Sequence, residues 1–599
     1  MFGPSEQVVE SCFALLRFLI FGDRDALAQS RSRLRSVLDD GEEPATTNER
    51  WIAAHLFRLS DEFDTGSVWT ALPPDAPPAA RRALTSTSPS VLTLWEPQRE
   101  LLAAGGDAPH LLFPSTTRAV LSIPTSAGKT LVAQILVLVE LARSEQSVCL
   151  IAPQRSLVRE IRAALLPRVR ALRKRLGSNV PDFLADFAAD ILDDEPPDVD
   201  IMTPERFATV LRADPQAVLD RYGLFVFDEA HLVGDKARGF TLEGALTYLH
   251  WLTRDTGHRI VLMSAAIGNE AVLQSWLQSG ERIDPFRSDW RGPRRLTAAY
   301  TTLPDWSAEE DLPPVGRGKI HRLAYPLNGV ISFSVPGAGA RSYVTTEPVG
   351  KLVFRRTLAG GRGGRDTQST PHYRHVAALA GALEHAGPVL TITGTRQDAQ
   401  RLAGALSSTR AEIVVTRRVR DALSGILDAE HPLVDMVARG VAYHHAGLPL
   451  EVLGLIEEEL RAGRLNHVVS TTTLTEGVNL PVHTVVLAET KWDGSDVHIS
   501  GPRMLNAIGR AGRAGIETEG WVVFAPSGRA PSSPERHLPR AEELEIRSRL
   551  ATEVTVQEVV EFEARRREAG DAVFSDLPEA LQGFTSFVWY VLAGQEALG

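Results

Sequence analysis

Two short strings constrain this chain more than any other feature. Residues 123–130 read Ile-Pro-Thr-Ser-Ala-Gly-Lys-Thr, and residues 228–231 read Asp-Glu-Ala-His directly after the apolar run 224–227. The first string is typical of a phosphate-binding loop between a strand and a helix, although its first position is Ile123 where the strict pattern has glycine. An acidic pair at the end of a buried strand commonly accompanies such a loop. Together the two strings predict a site for a nucleoside triphosphate.

Each residue type in these strings has a chemical reason. Gly128 lets backbone amides close around the phosphates, Lys129 reaches the β- and γ-phosphates, and the Thr130 hydroxyl ligates Mg²⁺. Asp228 is expected to bind the same metal, and Glu229 to face the attacking water. The predicted cofactors are therefore ATP and Mg²⁺. The residues of this part of the chain expected to bind the nucleotide are Gln98, Thr125, Ser126, Ala127, Gly128, Lys129 and Thr130.

Size, charge and cysteine content narrow the class of protein. A chain of 599 residues predicts three or four domains at roughly 150 residues each. The net charge of −11 is weak evidence against nucleic acid, although a basic groove can exist on an acidic protein. Two cysteines cannot form a disulfide framework or a zinc site, and no apolar run is long enough to cross a bilayer. We therefore expect a cytoplasmic protein without a membrane partner, in which residues 12–21 form a buried helix face.

Hydrophobic periodicity divides the chain into regions. Helical spacing at both ends flanks two blocks in which apolar strands alternate with helices, which predicts doubly wound parallel sheets. The strands are expected at 148–152, 199–202, 224–227 and 260–263, and then at 389–393, 441–444, 468–471, 485–488 and 521–525. The predicted regions are a helical N-terminal accessory region (1–90), an ATP-binding α/β domain (91–295), a β-rich insertion or linker (296–375), a second α/β domain (376–534) and a helical C-terminal segment (535–599).

Further strings follow these strands in a fixed order. They are Trp-Glu-Pro-Gln (95–98), Ala-Pro-Gln-Arg (152–155), Thr-Pro-Glu-Arg (203–206), Ser-Ala-Ala (264–266), Ser-Asp-Trp-Arg (288–291), Thr-Gly-Thr-Arg (393–396), His-His-Ala-Gly-Leu (444–448), Gly-Val-Asn-Leu-Pro (477–481) and Gly-Arg-Ala-Gly-Arg (509–513). The ordered set resembles superfamily 2 DEAD/DEAH-box helicases, and its later strings look like the Ski-type branch of archaeal and human repair helicases. The resemblance covers about residues 92–525 and implies two tandem RecA-like domains.

The resemblance implies how the site works. ATP would lie between the two RecA-like domains, where Arg510 and Arg513 would stabilise the charge that develops on the γ-phosphate. Gly477 and Asn479 would contact the nucleotide from the second domain. His231 and Ser264 would couple the ATP site to the nucleic-acid path. The catalytic set implied in this way is Lys129, Asp228, Glu229, Arg510 and Arg513.

The same resemblance implies a path for single-stranded or partly duplex nucleic acid. The residues assigned to it are Arg155, Thr203, Arg206, Thr393, His445, Thr471, Thr473 and Trp492. Hydroxyls and arginines suit phosphate and sugar contacts, which carry no sequence information. We therefore expect sequence-independent binding. The resemblance implies 3′-to-5′ movement, with DNA favoured over RNA. Simpler structural roles remain open, such as helix capping for Gln98, core packing for the pair His444 and His445, and packing for Trp492.

Three functions follow from these observations. The first is an ATP-dependent helicase or translocase, with an RNA helicase as a variant. The second is a nucleic-acid-stimulated ATPase that remodels a partner complex, for example a defence or repair nuclease docked on the N-terminal or C-terminal accessory region. The third is a scaffold with an inactive ATP site, which the intact set of Lys129, Asp228 and Glu229 disfavours.

Overall fold

The described part of the chain forms two compact units. The computed structural model describes residues 6–39, 46–102, 110–123, 127–153, 155–177, 196–234, 239–264, 268–278, 284–288, 290, 294–315, 320–335, 339–357, 366–413, 417–471, 482–488, 504, 507–512, 519–526 and 548. The first unit contains the described residues up to Trp290 together with Ser548, and the second contains the described residues from Arg294 to Pro526. Each unit has its own sheet and its own core.

The first unit opens with helices. They are α1 (Glu6–Phe21), α2 (Arg24–Leu38), α3 (Thr47–Gly66), α4 (Val68–Ala71) and α5 (Pro78–Thr85). Local chemistry fixes their starts. The Asp23 side chain accepts from the amide of Ala26 at the start of α2, and Thr46 and Glu49 form a reciprocal capping box at the start of α3. The region predicted to be helical at the N-terminus is therefore helical where it is described.

Helix α1 has one buried face and one exposed face. Residues 12–21 do lie in a helix, and Leu15, Phe18 and Leu19 pack in a small core with Leu27. However, Phe13 and Phe21 are 67% and 65% exposed. The predicted buried helix face is therefore present, and the opposite side of α1 is exposed because only one side of this helix packs on other elements.

The sheet of the first unit has six parallel strands in the order β3-β2-β4-β5-β1-β6. Its strands are β1 (Arg118–Ser122), β2 (Ser147–Ile151), β3 (Val199–Met202), β4 (Tyr222–Phe227), β5 (Arg259–Ser264) and β6 (Phe286–Arg287). The associated helices are α6 (Glu96–Leu102), α7 (Lys129–Arg143), α8 (Arg155–Ala171), α9 (Pro204–Ala213), α10 (Pro215–Arg221), α11 (Gly239–Leu252) and α12 (Glu270–Leu277), with a 3-10 helix at Ala230–Gly234. Every residue of β1, β4 and β5 is buried, as expected for strands covered by helices on both faces.

The second unit contains a larger sheet. Its strands are β7 (Arg294–Pro304), β8 (Glu310–Val315), β9 (Ile320–Val335), β10 (Gly339–Val344), β11 (Gly350–Thr357), β12 (Asp366–Ser369), β13 (Val389–Thr393), β14 (Val441–His444), β15 (His467–Thr471), β16 (Thr484–Leu487) and β17 (Glu519–Phe524). Its helices are α13 (His372–Leu383), α14 (Arg396–Ser407), α15 (Arg417–Leu427), α16 (Pro432–Ala438) and α17 (Leu450–Arg461), with a 3-10 helix at Glu384–Ala386. The strand order is β12-β11-β9-β7-β17-β16-β13-β15-β14, and β8 and β10 pair with β9.

The strands between the two α/β blocks belong to this second sheet. Strand β7 pairs in parallel with β17 and antiparallel with β9, and β11 and β12 extend the sheet outward. The predicted β-rich character of this stretch agrees with these strands. The sequence did not indicate that β7 would join the α/β sheet edge to edge, because this pairing connects residues far apart in the chain.

The α/β prediction is confirmed by both sheets. All nine strands predicted in the two blocks are present, within two residues of the expected bounds. Cys149 lies fully buried in β2, as its place in an apolar run indicates. None of the helices in the described part of the chain has the length and apolarity needed to cross a bilayer.

Candidate nucleotide site

The phosphate-binding loop follows β1 at the carboxyl edge of the first sheet, where ligands of parallel sheets usually bind. Gly128 has a φ of +87°, a left-handed conformation that residues with a Cβ rarely adopt. A Cβ at this position would also collide with the side-chain amide of Gln98. Glycine is therefore required at position 128 by its conformation and by the close approach of Gln98. Of the remaining predicted loop residues, Ala127 is buried, whereas Thr125 and Ser126 lie outside the described residues.

Strand β4 delivers the acidic pair to the same edge. The amide of Asp228 donates to the Ile151 carbonyl at 2.8 Å, which continues the alignment of β4 with β2. Glu229 then has a φ of +54°, an uncommon value for a residue with a side chain, and its amide donates to Asp228 Oδ1 at 2.8 Å. This sharp turn places both carboxylates beside the first residue of α7, Lys129.

Lys129 is paired with both carboxylates. Its Nζ lies 2.9 Å from Asp228 Oδ1 and also donates to Glu229 Oε1, and all three side chains are at most 12% exposed. Burial alone would lower the pKa of Lys129, but the two carboxylates outweigh this effect and raise the pKa above its ordinary value. The ammonium therefore stays charged. A bound phosphate would compete with two carboxylates for this ammonium.

The two residues predicted to couple the site to nucleic acid touch the acidic pair. His231 Nδ1 lies 3.2 Å from Glu229 Oε2 and 3.3 Å from Ser264 Oγ. Ser264 ends β5, where it pairs with Ser122, the residue just before the phosphate-binding loop. A continuous set of contacts thus runs from Glu229 through His231 to Ser264. Ala265 and Ala266 lie outside the described residues.

Gln98 serves two structural purposes at once. Its Oε1 accepts from the amide of Trp95 at 3.0 Å, which caps the start of α6, and its Nε2 donates to the Ala127 carbonyl at 3.3 Å. The capping role left open by the sequence is therefore present. The same side chain also touches the phosphate-binding loop, where the sequence predicts a contact with the nucleotide.

Three predicted nucleic-acid residues of the second unit lie on neighbouring strands. Thr393 ends β13, Thr471 ends β15 and His445 directly follows β14, with β15 between the other two strands. All three are at most 7% exposed. Thr393 Oγ1 is 3.3 Å from the carbonyls of Thr395 and Ser470. The structure thus brings these three residues to one edge of the sheet. The Thr393 hydroxyl, however, already forms hydrogen bonds within the second unit.

The histidine pair is also engaged within the unit. His445 Nδ1 accepts from the Gly447 amide at 3.2 Å, and its Nε2 is 3.2 Å from Gln400 Nε2. Burial lowers the pKa of His445, and the nearby Arg396 adds to this effect. His444 Nε2 is 3.4 Å from Glu457 Oε1, with both residues buried. Core packing, the simpler role left open by the sequence, describes His444 well.

The sequence did not single out Arg396 as a site residue. It is the first residue of α14, exposed at the same sheet edge as Thr393. The string Thr-Gly-Thr-Arg contained the signal, because an arginine at a helix start after a parallel strand is well placed for a phosphate. Glu100 and Ser288 were also not predicted as site residues, although the Ser288 Oγ donates to Glu100 Oε2 at 2.9 Å.

The remaining predicted residues fall into two groups. In the first group, Thr203 caps α9 by accepting from the Arg206 amide at 3.4 Å, Arg155 begins α8, and the backbone of Arg510 bonds to Ala507 and Val482. The second group lies outside the described residues and consists of Thr473, Gly477, Asn479, Trp492 and Arg513.

Family models match both blocks of the chain. The model for the DEAD/DEAH box helicase matches residues 108–274, which include the loop at Gly128 and the acidic pair. The model for the helicase conserved C-terminal domain matches residues 398–515. Each model therefore matches residues that lie within one of the two units.

Curated relatives extend this similarity. The chain is 28% identical to the ATP-dependent DNA helicase Hel308 of Thermoplasma acidophilum over 411 residues, which is 67% of this chain and 49% of the relative. It is 24% identical to the Hachiman protein HamB of Bacillus cereus over 87% of this chain and 45% of the relative. It is 30% identical to DNA polymerase theta of Drosophila melanogaster over 69% of this chain and 19% of the relative.

The chain spans about half the length of the Hel308 and HamB relatives that it matches. The two helicase models match the chain one after the other, and the relatives include helicases of the Hel308 type. Both findings support the helicase family that the ordered strings resemble. The chain therefore carries the two domains of a DEAD/DEAH-box helicase, and it resembles the Ski-type, Hel308-like branch of superfamily 2.

Proposed function

We propose that this chain hydrolyses ATP and uses the energy to translocate on or unwind nucleic acid, with DNA favoured and 3′-to-5′ movement. The observation that supports this most directly is the buried contact of Lys129 with Asp228 and Glu229 beside the left-handed Gly128. A positive group, an acidic pair and a glycine in the left-handed conformation at one sheet edge suit a triphosphate and its metal. Similarity to ATP-dependent DNA helicases supports the choice of DNA.

The residues of the first unit divide the work of hydrolysis. The Gly128 amide and the Lys129 ammonium would hold the phosphates, and Glu229 would orient the attacking water. Thr130 and Asp228 would hold Mg²⁺, which usually takes one or two protein oxygens together with phosphate oxygens. This donor set fits that metal, and the part of the chain that is described holds no group of three or more His, Cys, Asp or Glu that would form a separate metal centre. Bound Mg²⁺ would neutralise phosphate charge.

The second domain contributes the remaining roles. Arg510 and Arg513 would stabilise transition-state charge, and Gly477 and Asn479 would contact the nucleotide. Thr393, Thr471, Thr473, His445 and Trp492, together with Arg155, Thr203 and Arg206 of the first unit, would line the nucleic-acid path. Such contacts are made to the phosphates and sugars of the nucleic acid, so the proposed binding is independent of sequence.

A reducing, cytoplasmic setting is part of the proposal. Cys12 and Cys149 are both free thiols. Burial raises the pKa of Cys149 well above its ordinary value, which makes this thiol unreactive. Neither residue therefore depends on an oxidising compartment.

The experiment that tests the substrate is ATP turnover with four additions: none, single-stranded DNA, duplex DNA and single-stranded RNA. Strong stimulation by single-stranded DNA alone is the expected result. Equal stimulation by RNA would favour an RNA helicase instead. An ATP turnover rate that is the same with each nucleic acid as without any would contradict translocation on nucleic acid.

A second candidate is an ATPase that remodels a protein complex, such as one containing a defence or repair nuclease. The similarity to HamB favours it, because that similarity covers 87% of this chain and so extends beyond the helicase models. Exposed apolar side chains on the N-terminal helices, among them Phe13 and Trp51 at 67% and 64% exposure, also suit a docked partner. Strand displacement by the isolated chain at a rate matching its ATP turnover would argue against this candidate.

A further inference from the structure

The segment that begins with β6 is anchored to the strand that precedes the phosphate-binding loop. Strand β6 pairs with the end of β1, with Phe286 opposite Leu121 and Arg287 opposite Ser122. The amide of Ser288 then donates to the Ser122 carbonyl at 3.3 Å. The chain therefore reaches Ser288 along the edge of the nucleotide site.

A buried hydroxyl ties this segment to α6. Ser288 is 5% exposed, and its Oγ donates to Glu100 Oε2 at 2.9 Å while accepting from the amide of Trp290 at 3.3 Å. One hydroxyl thus holds both the helix that contains Gln98 and the backbone of Trp290. Hydrogen bonds to a charged carboxylate are stronger than neutral ones, so this link is a firm one.

An aromatic contact completes the connection. The rings of Trp290 and Trp95 lie 6.0 Å apart with an interplanar angle of 35°. Trp95 in turn caps α6 by donating its amide to Gln98 Oε1, and the other end of that carboxamide donates to Ala127. Trp290 therefore contacts the residue that fixes the orientation of the Gln98 side chain.

We propose that Trp290 is a positioning residue for base recognition: by packing on Trp95 it orients the Gln98 carboxamide, and the discrimination of adenine from other bases depends on this contact. The inference rests on the proposed nucleotide site. It also assigns a role to the Ser-Asp-Trp-Arg string, to which the sequence gave none.

The test measures equilibrium binding of ATP and UTP with Mg²⁺ in the Glu229→Gln background, so that neither nucleotide is consumed. Trp290→Ala is expected to weaken ATP binding by roughly three- to tenfold, the effect of one misplaced hydrogen bond, and to leave UTP binding nearly unchanged. Trp290→Phe keeps an aromatic ring and is expected to restore most of the preference for ATP. Trp276→Ala is the matched control, because Trp276 is 40% exposed in the same unit and its ring contacts His250 instead.

The outcomes separate this inference from the proposed function. An unchanged ATP-to-UTP ratio in Trp290→Ala, or an equal loss for both nucleotides, would overturn the positioning role and leave the ATP site standing. No binding of either nucleotide in the background chain would overturn both. Ser288→Ala provides a second variant in case Trp290→Ala fails to fold, since it removes the Glu100 hydrogen bond but keeps both rings; it is expected to lower the same ratio, and an unchanged ratio would count against the proposal.

Discussion

Lys129 Nζ lies 2.9 Å from Asp228 Oδ1, a contact between two residues that are 99 positions apart in the chain. The phosphate-binding loop and the acidic string meet because β1 and β4 are parallel strands of one sheet, both next to β5, and their carboxyl ends share an edge. Both residues belong to the first unit. The first unit therefore carries a preassembled set of groups for a triphosphate.

Lys129→Ala should abolish ATP turnover and also lower the stability of the first unit. Removing a donor that stabilises transition-state charge costs on the order of a hundredfold or more in rate. Its loss also leaves two buried carboxylates without their cation, which destabilises the fold by about 3–5 kcal/mol. Turnover assays and thermal unfolding of the same samples check both effects. Unchanged stability would contradict the structural part of this prediction.

Gly128→Ala should weaken ATP binding and stability together. A Cβ in the left-handed conformation costs about 1–2 kcal/mol, and here it would also displace Gln98. Gly257→Ala is the control, since nothing lies within 4 Å of a Cβ at that position in the same unit. Denaturant unfolding and ATP titration of the two variants should differ clearly. Equal behaviour would show that position 128 does not need glycine.

Disrupting the contact between His231 and Ser264 should reduce stimulation of turnover by nucleic acid more than it reduces binding of ATP. Ser264→Ala removes the hydroxyl that lies 3.3 Å from His231 Nδ1 and so breaks the chain of contacts from Glu229 to β5. The ratio of stimulated to unstimulated ATP turnover is the quantity to measure. A ratio equal to that of the wild type would remove the assigned coupling role.

Stability of the second unit should fall as pH drops from about 6.5 toward 4. Burial and the nearby Arg410 lower the pKa of His467 from 6.5 to about 4, so the folded state keeps this ring neutral while the unfolded state binds a proton in that window. The group therefore contributes stability above pH 6.5 that is lost progressively as pH falls, amounting to about 1 kcal/mol by about pH 5.5.

Denaturant unfolding at about pH 7.5 and 5.5 measures this loss. His467→Asn should show a smaller difference between the two pH values, because its side chain does not titrate. A variant whose pH dependence equals that of the wild type would exclude His467 as the source.

Much of the fold could be predicted because parallel strands covered on both faces are continuous apolar runs. The strands β4 and β5 are fully buried, and their sequences contain no polar alternation that would confuse the assignment. The meeting of Lys129 with Asp228 follows from the same topology, since loops after parallel strands share one edge.

Other features depend on contacts between distant residues, which local pattern does not encode. The pairing of β7 with β17 joins residues more than 200 positions apart, and the exposure of Phe13 depends on which side of α1 meets its neighbours. Helix capping by Thr203 could have been predicted from the local sequence, but Thr203 was interpreted only as a nucleic-acid contact. The link between Ser288 and Glu100 could not be anticipated, because a serine in a loop offers no indication of its partner.

The most direct test of the central claim is ATP turnover by the wild type and by Glu229→Gln, each with and without single-stranded DNA, alongside ATP binding by both chains. We predict that both chains bind ATP, that only the wild type hydrolyses it, and that single-stranded DNA raises the wild-type rate. Turnover by Glu229→Gln equal to that of the wild type, or no turnover by either chain, would contradict an ATP-driven helicase centred on Lys129, Asp228 and Glu229.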